Sequence, residues 1–433
     1  MKNNPMNRRD FVTAAGAVSL VGASVFAGGC ASIGGSASAK PKVVVVGGGF
    51  GGATAAKYVA MWSEGAIDVT LVERDAQFVS CPMSNLVVGG SKNMGDISVA
   101  YGGLDKYGVK RVKGEAVGFD ATKKTLSLAD GTTLSYDRLI LSPGIDFMYE
   151  TLPGLATGEA KNRVLAAWKA GPETVALRAQ LTGMADGGVF AIHIPKAPYR
   201  CPPGPYERAC QVAWYFQQAK PKSKVLILDA NEDVVSKKGL FMKAWNGQYK
   251  GIIEYRNNQE IQDVDARTNT LKMSFGDDVK ADVLNVLPPM RAGNIATMNG
   301  LNNSNKRWCQ IDWLTHESTV VPGVHILGDA LQIAPLMPKS GHMANQHGKT
   351  CAAAVVALLK GEAVNTSPVI ANTCYSFIDD KNVVHVASVH RYDAEKKTMV
   401  TVQGAGGLSA EGNALEGVYA NSWARNIWAD MLA

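Results

Sequence analysis

Cysteine is the residue type with the widest chemical range in this chain, since a thiolate can be a nucleophile, a metal ligand or one half of a redox disulfide. The chain has seven cysteines in 433 residues, an odd number that is sparse for a disulfide scaffold. No two cysteines form a C-x-x-C or C-x-x-C-H motif, which argues against a zinc knuckle, a thioredoxin-like site and an attached c-type haem. The seven histidines are scattered, and His342 and His347 share no useful metal-ligand spacing with any carboxylate pair. We therefore expect individual roles for the cysteines and no metal site.

A glycine-rich segment near residue 50 could bind a phosphate. Gly47, Gly49 and Gly52 form a G-x-G-x-x-G pattern between a buried-strand pattern and a helical pattern, and Glu73 ends a second strand 21 residues after the last glycine. In such a βαβ unit the loop backbone and the helix N-terminus bind a pyrophosphate, and the acid binds ribose hydroxyls. The arrangement predicts a Rossmann-like domain with these four residues as cofactor ligands.

Two further segments narrow the dinucleotide to FAD. Residues 132–144 have the pattern of a hairpin edge, a strand and a Pro-Gly turn, and residues 323–330 have that of a strand ending in Gly328-Asp329. Both resemble the second and third FAD signatures of flavoproteins with two dinucleotide-binding domains. By that resemblance, Asp329 binds the ribityl chain of the cofactor.

A second α/β region spans residues 157–290, but its first loop differs. Strand patterns at 188–194 and 224–229 repeat the order of the first unit. Where NADH-using relatives have a glycine fingerprint, this chain has five prolines within residues 195–205. Proline fixes φ and lacks an N–H donor, so this loop cannot form the same phosphate site. We expect a Rossmann-like domain that has lost its nicotinamide site, and an electron donor other than NADH.

Together these motifs resemble the flavoprotein subunit of flavocytochrome c sulfide dehydrogenase over nearly the whole length after residue 39. The matching stretches are Gly47–Tyr58, Cys81 with Ser84-Asn85, Cys201–Arg208, Leu287–Gly293, Met337–Gly341 and Asn372–Ser376. The resemblance implies an α/β fold of two Rossmann-like dinucleotide-binding domains, as in a glutathione-reductase-like flavoprotein, plus a C-terminal α+β interface domain. It implies an FAD-binding domain at 40–156 and 291–366, a second Rossmann-like domain at 157–290 and a C-terminal domain at 367–433.

The resemblance also implies how the flavin is held. In that family a cysteine on the loop after the second strand is joined by a thioether to the flavin 8-methyl group, and Cys81 matches it. We therefore expect covalently bound FAD. Lys339 precedes a helix whose N-terminus, by resemblance, points at the flavin pyrimidine ring, and Trp423 matches a tryptophan near the ring. A buried structural thiol at 81 and a core aromatic at 423 are the alternatives.

The family has a redox disulfide beside the flavin, and Cys201 and Cys374 match its two cysteines. Hydrosulfide attack on a disulfide gives a persulfide on one cysteine and frees the other as a thiolate, which can pass two electrons to the oxidised flavin. Glu207, six residues after Cys201, matches a glutamate that could take the proton. A structural bridge, pairing of Cys201 with Cys210, and a role for Glu207 as a helix N-terminal charge stay open.

The implied reaction is oxidation of sulfide to elemental sulfur or polysulfide, with a separate c-type cytochrome as electron acceptor and partner in a heterodimer. Three alternatives stay open: a sulfide:quinone oxidoreductase-like enzyme, a flavoprotein that acts on the persulfide of a sulfur-carrier protein, and a non-catalytic flavin-bearing partner of a cytochrome. The C-terminal tail has Arg425 and Asp430 among its aromatics and no basic-apolar stripe. Because membrane docking needs such a stripe, the quinone reductase ranks lower.

The net charge and the N-terminal sequence pattern indicate which partners the protein lacks and where it is located. The net charge of +6 is mild and spread along the chain, unlike the footprint of a nucleic-acid-binding protein. Asn7-Arg8-Arg9-Asp10-Phe11, a moderately apolar stretch and small residues before Lys40 form the pattern of a twin-arginine signal peptide over 1–39. We expect export to the periplasm by that route and no stable membrane insertion. A lipoprotein cysteine at Cys30 is an alternative.

Overall fold

Three main sheets position the residues singled out above. The computed structural model describes residues 39–433, so the predicted twin-arginine signal and Cys30 lie outside the described residues. The α-helices are α1 (Phe50–Trp62), α2 (Ser84–Gly89), α3 (Gly158–Arg163), α4 (Pro172–Gly183), α5 (Gly204–Ala219), α6 (Lys238–Asn246), α7 (Asn294–Met298), α8 (Gly341–Lys360) and α9 (Ala414–Leu432). The strands are β1 (Lys42–Val46), β2 (Asp68–Glu73), β3 (Gln77–Val79), β4 (Ser98–Ala100), β5 (Lys110–Lys113), β6 (Ala116–Asp120), β7 (Thr125–Leu128), β8 (Thr133–Ser135), β9 (Arg138–Leu141), β10 (Ile145–Phe147), β11 (Val189–Ile194), β12 (Lys224–Asp229), β13 (Ile253–Arg256), β14 (Ile261–Asp265), β15 (Thr270–Met273), β16 (Val279–Lys280), β17 (Val283–Val286), β18 (Met290–Ala292), β19 (Val324–Ile326), β20 (Val369–Phe377), β21 (Val383–Asp393) and β22 (Thr398–Leu408).

The first sheet is parallel and has the order β19-β9-β1-β2-β5. Its central strand β1 is a run of valines, Val43–Val46, that are at most 7% exposed. Burial on both faces is what a parallel sheet covered by helices requires, and a β-branched run satisfies it. Strand β19 joins this sheet from a distant part of the chain, so the sheet is built from two separate stretches, within residues 42–141 and 324–326.

The second sheet is also parallel, with the order β13-β12-β11-β17. It repeats the plan of the first, because β11 is followed by helix α5 and then by the neighbouring strand β12. Each parallel sheet has a three-stranded antiparallel companion, β6-β7-β8 in the first unit and β14-β15-β16 in the second. Strands β10 and β18, at the two crossings between the units, pair with each other.

The C-terminal region is an antiparallel sheet, β20-β21-β22, followed by helix α9. The side chain of Asn413 caps α9 by accepting the Glu416 N–H at 2.9 Å. The helix packs with Phe377 and Val383 of this sheet against the segment around α2 in one apolar cluster. This packing brings strand β20 to the first unit.

The predicted fold class is confirmed: two Rossmann-like units are joined to a C-terminal α+β region. The domain bounds at 156, 290 and 366 stay a prediction. Among residues 39–433, none of the helices combines the length and the apolar character needed to cross a membrane.

Candidate functional site

One cavity of about 1390 Å³, measured with its open mouth, has walls from both Rossmann-like units and the C-terminal region. Of the residues that the sequence singles out, those that line it are Gly49, Glu73, Cys81, Cys201, Glu207, Asp329, Cys374 and Trp423. Gly47, Gly52 and Lys339 are not on its wall. Residues that are far apart in sequence therefore share one space.

The glycine loop between β1 and α1 keeps this space open. Gly47 has a φ of 96°, in the left-handed region that favours glycine, and a Cβ on Gly52 would lie 1.8 Å from the Gly47 carbonyl oxygen. A Cβ on Gly49 would meet no atom within 4 Å, so it would project into unfilled space. Gly49 is also the N-cap of α1, and among the residues that the structure describes no side chain caps that helix. The first N–H groups of α1 can therefore bind a phosphate.

Two carboxylates on the cavity wall suit a ligand with hydroxyl groups. Glu73 Oε2 accepts the Gly48 N–H at 2.5 Å, and its Oε1 accepts the Asp75 N–H at 2.9 Å. Within the described chain, Asp329 Oδ1 is buried without a hydrogen-bond partner. Burial raises the pKa of this carboxyl, against the opposing effects of Arg200 and Lys339. Because a buried oxygen of this kind needs a donor, and the glycine loop is open, the residues present fit FAD.

Cys81 begins the 3-10 helix Cys81–Met83, between β3 and α2. Its Sγ accepts the N–H of Ala170 at 3.3 Å and lies 3.6 Å from Nη2 of Arg200. The same Nη2 donates to the carbonyl of Trp168, so the arginine joins the Cys81 loop to the segment before α4. These contacts hold the sulfur at the cavity wall.

Cys201 lies in the proline-rich loop between β11 and α5. Its φ is 59°, a region that residues with a Cβ rarely adopt. Its N–H donates to the Lys339 carbonyl at 2.8 Å, and its carbonyl accepts the Gly204 N–H at 2.9 Å. Burial raises the pKa of the Cys201 thiol, and the nearby Cys374 and Glu207 raise it further.

Cys374 lies on β20, and its Sγ accepts an N–H of the Asn372 side-chain amide at 3.3 Å. The other end of that amide accepts the Ser340 hydroxyl at 2.6 Å. Cys201 and Cys374 are both thiols in this structure and line the same cavity. The bond between them stays a prediction.

Glu207, in the first turn of α5, is a buried carboxyl with two donors. It is 3% exposed. Its Oε1 accepts the Phe377 N–H at 2.9 Å, and its Oε2 accepts an Asn85 amide N–H at 3.0 Å. Burial raises its pKa to about 7, although the two hydrogen bonds act in the opposite direction. A carboxyl that titrates near neutral pH is suited to general base catalysis.

Arg208 holds the surroundings of Glu207 in place. Its guanidinium, almost fully buried, donates to Asn85 Oδ1 at 3.0 Å, Asn285 Oδ1 at 2.8 Å and the Ala167 carbonyl at 2.6 Å. Asn85 thus binds Arg208 through its oxygen and Glu207 through its nitrogen. One amide therefore couples the orientation of the acid to a buried cation.

Of the two further residues predicted to bind the cofactor, Trp423 lines the cavity and Lys339 does not. The Nζ of Lys339 donates to the carbonyls of Asp329, at 2.9 Å, and Leu331, behind the cavity wall. Burial lowers the pKa of Lys339 to about 7. Trp423 of α9 does line the cavity, with its ring centroid 5.9 Å from that of His342. Cofactor binding by Lys339 stays a prediction.

The sequence motifs assigned no role to four polar residues in or beside the site: Asn85, Arg200, Arg208 and Lys237. Asn85 and Arg208 stand within motif stretches, and Arg200 directly precedes Cys201, so proximity to a motif was an available signal. Lys237 carried no such signal. A lone lysine is usually exposed, yet this one is 5% exposed.

The remaining described cysteines lie in the core. Cys210, Cys309 and Cys351 have no exposed surface, and Cys210 Sγ accepts the Trp245 indole N–H at 3.3 Å. Among residues 39–433, no group of three His, Cys, Asp or Glu side chains could hold a metal ion.

Three family profiles match three separate parts of the chain. Residues 41–172 match pyridine nucleotide-disulphide oxidoreductases. Residues 174–288 match the central part of the sulfide dehydrogenase [flavocytochrome c] flavoprotein chain. Residues 366–432 match the flavin-binding part of flavocytochrome c sulphide dehydrogenase.

Individual proteins agree with these profiles. The mitochondrial sulfide:quinone oxidoreductase of Mus musculus is 23% identical over 328 residues, which are 71% of this chain and 69% of that protein. A flavocytochrome c sulfide dehydrogenase flavoprotein chain from Chlorobaculum thiosulfatiphilum is 59% identical over 46 residues, which are 11% of this chain and 94% of that sequence.

Solved structures show the same fold. The sulfide:quinone oxidoreductase of Aquifex aeolicus has a TM-score of 0.74 at 14% identity, covering 90% of this chain and 91% of that chain. The putidaredoxin reductase–putidaredoxin complex has a TM-score of 0.64 at 15% identity, covering 89% and 93%. Given the profiles, the short but strong sequence match and the site geometry, the chain belongs to the flavoprotein chains of flavocytochrome c sulfide dehydrogenase, a family of sulfide-oxidising flavoproteins.

Proposed function

We propose that this protein is a periplasmic FAD enzyme that oxidises sulfide to elemental sulfur or polysulfide through a Cys201–Cys374 disulfide and passes the electrons to a c-type cytochrome. One observation carries the proposal. The two cysteines, from different domains, line the same cavity as the glycine loop and Cys81. A redox pair and a dinucleotide site then share one space, which a purely structural bridge would not need.

The residues that would hold FAD come from both ends of the first unit. The backbone of Gly47–Gly52 would bind the pyrophosphate, Glu73 the ribose hydroxyls and Asp329 the ribityl chain. Cys81 would form the thioether, and Trp423 would line the ring site. Bound flavin supplies an acceptor for two electrons that can pass them on one at a time.

Glu207 prepares the nucleophile. Because its pKa is about 7, the carboxylate can take a proton from hydrogen sulfide near neutral pH. Hydrosulfide then attacks one sulfur of the disulfide, the S–S bond breaks, and the attacked cysteine becomes a persulfide. The other cysteine leaves as a thiolate with the electron pair of the broken bond. A second turnover or a polysulfide step releases the sulfur.

The family description supports a cytochrome partner, since it names a flavocytochrome c. We infer a heterodimer in which a separate c-type cytochrome takes the electrons. The twin-arginine motif before residue 40 supports export to the periplasm.

A second candidate is sulfide oxidation with a quinone as acceptor. It is favoured by the similarity to proteins named sulfide:quinone oxidoreductase. The two candidates differ in the acceptor alone. Sulfide-reduced protein should be reoxidised by a c-type cytochrome if the first is right and by a soluble quinone analogue if the second is right.

Substitution of Cys201 tests the disulfide mechanism. We expect Cys201→Ser to abolish sulfide-dependent bleaching of the flavin absorbance, because no disulfide remains for attack. Cys210→Ser, in the core nearby, is the matched control and should bleach as the wild type does. If sulfide still bleached the flavin of Cys201→Ser as it does in the wild type, the disulfide mechanism would be excluded.

The thioether has a separate test. Acid precipitation should leave yellow flavin in the protein pellet of the wild type and release it from Cys81→Ser. Flavin in the wild-type supernatant would refute the link through Cys81 without affecting the disulfide proposal.

A further inference from the structure

A buried lysine of the second unit reaches the strand that carries Cys374. Lys237 directly precedes α6, with a φ of 55°. Its Nζ donates to the Cys374 carbonyl at 2.9 Å, the Ser376 hydroxyl at 2.7 Å and the Val384 carbonyl at 3.3 Å. These neutral acceptors use all three donors of the ammonium, so the contacts satisfy its hydrogen bonds and leave its charge unbalanced.

In the part of the chain that the structure describes, no carboxylate contacts Lys237 to balance that charge. Within residues 39–433, Lys237 takes part in no ion pair, whereas the next residue, Lys238, pairs with Asp233 at the surface. The titratable groups that face Lys237 are Cys374 on β20, Cys201 and Glu207 around the start of α5, and Glu416 on α9. Glu416 is itself bound to His385 on β21. A buried cation is costly unless it is compensated, and a thiolate at the pair would compensate it.

The two sulfurs have different surroundings. Cys374 Sγ has the Asn372 amide as a donor at 3.3 Å, and the carbonyl of the same cysteine binds Lys237. Among the described residues, no hydrogen-bond donor contacts Cys201 Sγ.

The effects of nearby groups on the pKa also differ between the two thiols. Burial raises the pKa of both thiols. At Cys374, the first effect that opposes this rise is Lys237, followed by hydrogen bonding from Asn372 and Ser340, and Glu207, the last of the causes, adds to the rise. At Cys201, Cys374 and Glu207 add to the rise, and Arg200 and Lys237 act against it.

We propose that Lys237 is a positioning residue that makes Cys374 the leaving sulfur of the pair, so that sulfide adds to Cys201. The inference rests on the proposed function. Hydrogen sulfide gives its proton to Glu207, a bond forms between the hydrosulfide sulfur and Cys201 Sγ, and the S–S bond breaks with its electron pair on Cys374. The disulfide is the oxidant, and no other oxidant enters this step. The sulfur with the more stable thiolate leaves faster, which is how the lysine sets the direction.

The first test measures Cys374 by itself. In a Cys201→Ser background, the alkylation rate of Cys374 by iodoacetamide is followed against pH in the folded, flavin-bound protein by mass spectrometry. Removal of the charge in Lys237→Met should raise the pH midpoint of alkylation by about one unit or more, as loss of a nearby opposite charge does. Lys237→Arg should restore the midpoint. Lys243→Met, an exposed change on the same helix, should not move it.

A purely structural lysine would give a different pattern. Lys237→Met would then lower the thermal unfolding temperature and leave the alkylation midpoint where Lys243→Met leaves it, which would overturn the proposal. Lys237→Gln keeps hydrogen-bond donors without the charge and serves if Lys237→Met does not fold. Because alkylation needs no sulfide, this result is independent of whether Cys201→Ser abolishes flavin bleaching.

The second test locates the added sulfur. Wild-type protein is treated with excess sulfide and no external acceptor, so that the flavin is fully reduced and the freed cysteine keeps the electron pair of the opened disulfide. The protein is then alkylated and digested for mass spectrometry. We expect the extra sulfur on Cys201 and a plain alkylated Cys374. Extra sulfur on Cys374 would reverse the assigned direction and overturn the proposal.

Discussion

The two Rossmann-like units share an order of strands and differ in the loop that follows the first strand. After β1, the loop is glycine-rich and leads into a helix without a side-chain cap. After β11, the corresponding loop, residues 195–203, holds four prolines and Cys201. Both loops lie at the carboxyl end of a parallel strand, where α/β sheets bind ligands. The fold that the two units share places the loop at the same position in each unit. The residues of the loop decide whether it binds a phosphate or presents a sulfur.

Each of the two loops has its own tightly packed glycine, and the two glycines have different structural roles. A Cβ on Gly52 would lie 1.8 Å from the Gly47 carbonyl, so this glycine shapes the backbone of the phosphate loop. A Cβ on Gly204 would lie 2.6 Å from the Trp168 ring and 2.9 Å from Cys201 Sγ. The second glycine therefore makes room for the cysteine of its own loop.

The largest effect is expected from Gly52→Ala in the first loop. The added Cβ must displace backbone, which costs roughly 1–3 kcal/mol of stability, and the displaced loop should bind no flavin. The flavin absorbance per mole of purified protein measures this. Gly239→Ala, where a Cβ would meet no atom within 4 Å, is the control. If Gly52→Ala kept the wild-type flavin content, the first loop would not be part of the cofactor site.

The next effect is expected from Glu207→Gln, behind the second loop. Loss of a general base typically slows a reaction by about a hundredfold or more, here the sulfide-dependent reduction, while flavin binding is retained. Since the carboxylate is the base, the wild-type rate should rise with pH through about 7, and the variant should lack that rise. Stopped-flow bleaching across pH measures both. A variant with the wild-type pH profile would exclude Glu207 as the base.

The same carboxyl has a defined effect on stability. Its pKa is raised from 4.5 to about 7 by burial, so between these values the folded protein keeps a proton that the unfolded chain has lost. Its contribution to stability is therefore complete below pH 4.5 and is lost as the pH rises through about 7. Glu207→Gln should flatten this part of the curve of unfolding free energy against pH.

A smaller effect is expected from Gly204→Ala. The Cβ should displace the Trp168 ring or Cys201 Sγ by a fraction of an ångström, and misplacement of a reacting sulfur should slow flavin bleaching by about tenfold. Flavin content should stay at the wild-type level, in contrast to Gly52→Ala. Loss of flavin in this variant would show that the two loops are not functionally separate.

Addition of NADH is expected to change neither the unfolding temperature of the protein nor its flavin absorbance. A ligand that binds the folded protein raises its unfolding temperature, and the proline-rich loop offers no nicotinamide phosphate site. Thermal unfolding with and without NADH, and the flavin absorbance after its addition, measure this. A rise in the unfolding temperature or a bleached flavin would mean that the second unit still binds a nicotinamide.

Local patterns predicted much of the fold. The valine run at 43–46, the glycine spacing and the acid at 73 depend on neighbours in sequence, and the structure has β1, α1 and β2 there. The burial that raises the pKa of Glu207 comes from parts of the chain that are distant in sequence. Asn85 and Phe377, for example, reach its carboxylate from such parts, although their hydrogen bonds oppose the rise. No window of sequence contains that information.

The sequence by itself determined the two βαβ units, the family and the residue types available for phosphate and sulfur chemistry, because periodicity and glycine spacing are local properties. Only the tertiary structure decided which side chains share the cavity, since residues 81, 201 and 374 meet there through packing between three regions. It also decided that the Lys237 ammonium lies buried against the Cys374 strand. The physical reason is that charge and burial depend on every surrounding group, and those groups come from the whole chain.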